Sequence, residues 1–251
     1  MTNKLKYFIG NWKMFGDINS FKIINIINKY CHNSINLHNK KIVLCVPNTL
    51  THFFNQKLKS KYISLGSQNC HHHIGYGPFT GGVSSSMLKK IGSDYVILGH
   101  SENRREGETY NLIKKKVISA LNEKLNIIFC IGETLDQKKK NKTFNILRQQ
   151  IKKSLDKKLN LNKIIFAYEP VWAIGTNKVP KINELIKNII FIKKESKKIF
   201  KNKNFKVLYG GSVNPKNVGL LSSISEIDGF LIGGASHSSN KFIEIIKNYY
   251  K

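Results

Sequence analysis

Residue types that together can move a proton fall directly after short apolar runs. Glu169 closes the run KIIFAY (Lys163 to Tyr168) within AYEPVWAIGT, and Pro170, Trp172 and Gly175 follow it in a loop bounded by proline and glycine. Such a run normally ends in a turn residue. An acid there, backed by an aromatic loop, reads as a carboxylate exposed at a strand end beneath a lid. A solvated loop carboxylate is the plainer reading of this segment taken alone. His100 and Glu102 follow YVILG, and Asn11 and Lys13 follow YFIG. Carboxylate, imidazole and ammonium are the equipment of general acid–base chemistry. Two Gly-rich ends, YGGS (Tyr209 to Ser212) and GGAS (Gly233 to Ser236), bring backbone N–H groups at Ser212, Gly233 and Gly234 that no Cβ shields. With the dipole of a short helix after Gly233, they suit a phosphate dianion. Singly these signals are weak, since a glycine pair after a strand is more often a turn. Their weight comes from shared placement.

That placement follows from the elements. Eight continuous apolar runs recur, at Tyr7, Lys41, Tyr62, Tyr95, Asn126, Lys163, Phe205 and Gly229. Continuous rather than alternating runs suit parallel strands buried on both faces. Between them lie segments of helical period, such as Phe21 to Tyr30, Glu108 to Leu125, Ile182 to Phe200 and Lys241 to Tyr250. Right-handed crossovers repeated eight times close most naturally into a (β/α)8 barrel, in which everything after the strands converges on one mouth. No linker or composition break divides the 251 residues, so the expected architecture is one barrel domain over 1–251.

Composition narrows the class further. Lys and Arg number 42 against 15 Asp and Glu, a net charge of +27, which raises a nucleic-acid or anionic-surface reading. The lysines are dispersed, however, as in Lys114 to Lys116, Lys138 to Lys140, Lys152-Lys153, Lys157-Lys158 and Lys193-Lys194, and they read as solvated helix faces. Lys, Asn and Ile are all overused, a bias that AT-rich codons explain without a nucleic-acid partner. Cys31, Cys45, Cys70 and Cys130 lack CxxC spacing and are expected as buried, reduced thiols. His71, His72 and His73 have no acid or cysteine at ligand spacing and are expected to decorate a protruding loop; no metal is expected. Without an apolar leader or a long apolar span, the expected location is the cytoplasm, with no membrane partner.

GNWKM (Gly10 to Met14), GPFTGG (Gly77 to Gly82), ILGHSE (Ile97 to Glu102), CIGET (Cys130 to Thr134), AYEPVWAIGT, YGGSVN (Tyr209 to Asn214) and IGGAS (Ile232 to Ser236) occur in order along the chain. Together they resemble the triosephosphate isomerase family. The resemblance implies a cofactor-free exchange of an aldose and a ketose phosphate through an enediolate. Such a reaction needs a base beside the carbonyl and an electrophile facing its oxygen. It implies Glu169 as base and His100 as a neutral imidazole, a family property together with the closing loop. It places Lys13 near the phosphate and the developing charge, Asn11 on a substrate oxygen, and Glu102 as the acid ordering this network. It makes Pro170, Val171, Trp172, Ala173, Ile174, Gly175 and Thr176 the lid, fastened at Tyr209, with the Gly175 N–H reaching the phosphate when closed. Closure would exclude water, which guards an enediol phosphate against losing its phosphate. It also implies a homodimer, in which the loop from Gln68 to Thr80, with Thr80 at the interface, packs beside the partner's catalytic lysine.

The chain departs from the family pattern at several places. Asn103 stands where an arginine is usual and Gly82 where an acid is usual, two side chains that the family places near each other around the dimer interface. The loop before Glu108 is also about one residue shorter. Lys178-Val179-Pro180 replaces Lys-Thr-Ala at the lid hinge, and a proline has no N–H to give the Tyr209 hydroxyl. Asn177, in place of glycine, tolerates left-handed backbone. Two further readings compete: another phosphate-binding barrel enzyme, which leaves the lid and the His/Glu pair unexplained, and a basic barrel binding anionic polymers.

Overall fold

In a computed structural model describing residues 4–34, 39–201 and 204–251, eight parallel strands close into a barrel in sequence order. They are β1 Lys6–Asn11, β2 Lys40–Cys45, β3 Ile63–Ser67, β4 Tyr95–Leu98, β5 Asn126–Ile131, β6 Ile164–Tyr168, β7 Lys206–Tyr209 and β8 Gly229–Ile232. Each of the eight apolar runs contributes one strand. The surrounding helices are α1 Phe21–Asn33, α2 Asn48–Lys57, α3 Ser85–Lys90, α4 Ser101–Arg105, α5 Tyr110–Asn122, α6 Leu135–Lys139, α7 Thr143–Ser154, α8 Ile182–Ile199, α9 Val218–Ser222 and α10 Ser239–Tyr249. The expected helix from Glu108 to Leu125 is shorter at both ends. Thr109 caps α5 by accepting from the Leu112 N–H, and Lys124, at φ 57°, turns the chain out of it.

The strands are apolar throughout because alternate residues face two different cores. Ile9, Val43, Cys45, Ile97, Ile128, Cys130, Ile165, Ala167, Leu208 and Leu231 pack with one another in one cluster. Their strand neighbours Phe8, Ile42, Leu44, Phe129, Phe166, Val207 and Phe230 join a second, larger cluster that includes residues of α1, α5, α7, α8 and α10. The smaller set fills the barrel and the larger lies between strands and helices, as sheet alternation requires. All four cysteines are buried and free. Burial pushes the Cys31 and Cys70 thiols up to about 12.

The lysine-rich helices are not uniformly solvated. Lys116, expected on an exposed face, is buried. Its Nζ lies 2.5 Å from Oε1 of the equally buried Glu108 and 3.0 Å from Oδ1 of Asn69. The sequence period places position 116 next to Val117 on the inner edge of α5, and Glu108 is the partner that permits a charge there. Among the described residues, no helix is long and apolar enough to cross a membrane.

Candidate active site

Strand alternation aims the site before any side chain is considered. Continuing the inward series past its last apolar residue gives Asn11 after Ile9, Glu169 after Ala167, Gly132 after Cys130, Gly210 after Leu208 and Gly233 after Leu231. The glycines leave room for the acid. A Cβ added at Gly210 would lie 2.6 Å from Cγ of Glu169, and one at Gly132 would lie 1.8 Å from its carbonyl oxygen. Asn11, Lys13, His100, Glu169, Gly175, Ser212, Gly233 and Gly234 all line one cavity of about 1050 Å³ at this end of the barrel.

Glu169 is not exposed as the sequence suggested; only 4 % of its surface reaches solvent. The glycine ring draws it in, and its backbone N–H is tied to the Ile131 carbonyl at 2.8 Å. Oε1 lies 3.5 Å from His100 Nε2, and Oε2 is buried with no hydrogen-bond partner among the described residues. One oxygen is oriented and the other is left without a partner. Burial, followed by the charge of Glu169, pushes the neighbouring Cys130 thiol well up, so it stays neutral beside that carboxylate.

His100 caps α4, its Nδ1 accepting from the Glu102 N–H at 3.3 Å. A backbone N–H can only donate, so Nδ1 carries no proton and the ring is neutral with its hydrogen on Nε2, toward Glu169. Burial works against an imidazolium, whereas Glu169 and then Glu102 favour one, and the net direction is upward. The hydrogen bond at Nδ1 favours the neutral form that those charges oppose.

Lys13 pairs with Glu102, Nζ to Oε1 at 2.6 Å. Burial opposes the charge on Glu102, but the Lys13 hydrogen bond and His100 hold its carboxyl below the ordinary range. Lys13 itself sits at φ 54°, left-handed backbone that a non-glycine residue adopts only when its surroundings hold it there. Its N–H donates to Asn11 Oδ1 at 3.1 Å.

The segment from Pro170 to Thr176 is anchored by a residue that the sequence reading passed over. Glu133, inside the CIGET string, is wholly buried and accepts from Trp172 Nε1 at 3.0 Å and from the Tyr168 hydroxyl at 3.1 Å. Its own carbonyl takes the Val171 N–H at 2.9 Å. Arg104 was passed over too; it ties the ends of β4 and β5 together by donating to the carbonyls of Gly99 and Cys130 at 2.6 and 3.1 Å. An acid directly after a strand was a usable signal for Glu133, by the same reasoning that picked out Glu169. Pro170 and Ala173 are buried; Val171, Trp172 and Ile174 are partly so, and Gly175 and Thr176 are exposed. Asn177 adopts φ 59°, the left-handed backbone that its type tolerates. At the hinge, Pro180 is buried and the buried Tyr209 hydroxyl has no hydrogen-bond partner among the described residues.

In the loop after β3, Gln68 Nε2 donates to the Cys45 carbonyl at 3.0 Å and Thr80 is exposed. His71 and His73 pack their rings on Phe79 at 4.4 and 4.8 Å. A Cβ at Gly82 would meet the Phe79 carbonyl at 3.0 Å, so this loop has closed around the missing side chain.

A closed parallel barrel with a carboxylate, a neutral imidazole and an ammonium group at its strand ends, facing two glycine-rich turns, defines a barrel enzyme for proton transfer on a phosphorylated substrate. Residues 6–249 match the family model described as triosephosphate isomerase. The triosephosphate isomerase of Dictyostelium discoideum is 40 % identical, the alignment covering 99 % of this chain and 98 % of that one. That of Bartonella bacilliformis is 37 % identical over the full length of both chains. The crystal structure of triosephosphate isomerase from Bartonella henselae superposes with a TM-score of 0.88 at 35 % identity, over 98 % of this chain and 99 % of that one. The chain belongs to the triosephosphate isomerase family.

Proposed function

We infer that this chain interconverts D-glyceraldehyde 3-phosphate and dihydroxyacetone phosphate without a cofactor. The observation that carries this reading is the buried pair of Glu169 and His100, 3.5 Å apart, in the cavity that Gly233 and Gly234 also line. Glu169 takes the proton from the carbon beside the carbonyl, and Nε2–H of His100 donates to the oxygen on which charge develops. Lys13 answers the phosphate and the enediolate charge, Asn11 donates to a substrate oxygen, and Glu102 holds Lys13 in place. The N–H groups of Ser212, Gly233 and Gly234, joined by Gly175 on lid closure, receive the phosphate, and Tyr209 faces the closing lid. His100 gives its Nε2 proton to the former carbonyl oxygen and takes the proton of the neighbouring hydroxyl, and protonated Glu169 returns its proton to the former carbonyl carbon, so that carbonyl and hydroxyl have changed places.

A single barrel domain working in the cytoplasm as a homodimer completes the reading. In its support, Phe15 and Ile18 after β1 and Ile74, Tyr76 and Phe79 after β3 are exposed apolar residues, the last three in the loop between Gln68 and Thr80. Light scattering at low protein concentration is expected to return twice 28.7 kDa; a 28.7 kDa species alone would overturn the dimer.

A coupled assay for dihydroxyacetone phosphate formation, run on the parent and on the Glu169→Asp and His100→Gln variants, tests the chemistry. Activity falling by orders of magnitude in both variants is the expected result. A folded but inactive parent would overturn the reading.

A further inference from the structure

His237 lies in no recognised motif, yet it joins the two halves of the cavity. It ends the 3₁₀ turn Gly234–His237, whose first residues line the phosphate end. Its Nε2 lies 2.8 Å from the carbonyl oxygen of Trp12, and its ring packs on Phe15 with centroids 4.7 Å apart. A carbonyl can only accept, so Nε2 carries the proton and donates. The peptide that receives this bond leads directly into Lys13 with its left-handed backbone. On its other side, that peptide's N–H, which is the N–H of Lys13, donates to Asn11 Oδ1 at 3.1 Å. The two sides of the cavity also meet closely elsewhere: a Cβ at Gly10 would lie 2.9 Å from Cβ of Ser236, and one at Gly233 would lie 3.9 Å from Cε of Lys13.

We propose that His237 is a positioning residue for Lys13, its Nε2–H clamping the Trp12–Lys13 peptide against the phosphate-binding turn so that the ammonium group stands where the phosphate arrives. The proposal rests on the isomerase reading for the use of Lys13, but its geometry needs only an anion at Gly233 and Gly234. Without the bond, the Trp12 carbonyl loses its tie to the turn and the left-handed conformation of Lys13 loses one of its constraints. A side chain at 237 that still donates, such as glutamine, preserves the tie; an isosteric apolar one does not.

The test compares His237→Leu and His237→Gln in the coupled assay and in binding of inorganic phosphate by calorimetry, each also in a Lys13→Ala background, with melting curves as the check on folding. His237→Leu is expected to lower kcat/KM by about 5–10-fold, the value of one hydrogen bond. It should weaken phosphate binding comparably, while His237→Gln stays within about twofold of the parent. In the Lys13→Ala background, the leucine substitution is expected to weaken phosphate binding no further. Equal losses in the leucine and glutamine variants would overturn the proposal, because packing rather than donation would then be responsible. So would a leucine effect that persists in full without Lys13, or no effect at all. An inactive parent would defeat the isomerase reading and leave the phosphate series still able to decide this one.

Discussion

Gly210→Ala should disable the base without touching it. The added Cβ would stand 2.6 Å from Cγ of Glu169 and 3.2 Å from both Cδ and Oε1. Ordinary carbon–carbon contact is ~3.5–4.0 Å, so the carboxylate must retreat by about 1 Å. It cannot yield sideways along the chain, because its backbone N–H is held by the Ile131 carbonyl and its own carbonyl is packed against Gly132. A misplacement of that size costs on the order of 10²-fold, or about 2.7 kcal/mol of barrel-mouth geometry expressed in the transition state. Gly210 lies outside the left-handed region, so alanine adds overpacking but no φ strain. Overpacking of one methyl should cost about 1–3 kcal/mol in stability, leaving the variant folded. The coupled assay gives kcat and KM, and a melting curve confirms the fold. The expected result is a loss in kcat of about 10²-fold, with KM changed far less because the added methyl meets Glu169 rather than the N–H groups of Ser212, Gly233 and Gly234. A folded variant whose kcat stays within about threefold of the parent would refute the argument that Glu169 is placed by the missing side chain.

Four further outcomes follow from the same geometry. Pro180→Ala returns an N–H for the unpartnered Tyr209 hydroxyl to accept on lid closure and should slow lid reopening; unchanged opening kinetics in relaxation dispersion would count against it. Lys116→Met strands the buried Glu108 charge and should cost about 3–5 kcal/mol in urea unfolding, most of it regained when Glu108→Leu is added. Burial opposes the charge on Asp228, but hydrogen bonds from Lys193 and Lys4 hold its carboxyl below the ordinary range. Its stabilising share is therefore full above the unfolded value of about 4 and lost as pH falls through the folded one, so Asp228→Asn should flatten acid unfolding below about pH 4. Gly82→Glu with Asn103→Arg should stabilise a dimer by more than the sum of the single changes, read from its dissociation constant, although the Phe79 carbonyl 3.0 Å away makes the glutamate alone costly.

The sequence alone determined the strands, their number and the end of the barrel at which chemistry is done. Those follow from local pattern: continuous apolar runs, their spacing, and polar groups placed directly after them. Glu169, His100 and Lys13 were legible because each is an unusual residue at a strand end. What only the tertiary structure decided is how deep those groups lie and what fixes them. Glu169 looked exposed in one dimension, and it is buried because Gly132 and Gly210, 37 and 41 positions away in opposite directions, vacate the space around it. Lys116 looked like one more solvated lysine among many, and it is buried because Glu108 and Asn69 come to meet it. Glu133 stands directly after a strand, but its partner Trp172 is distant in sequence, and His237 has no local signal because its meaning lies in the carbonyl of Trp12. Burial and partner identity are properties of closure, and closure joins strands whose residues share no local pattern.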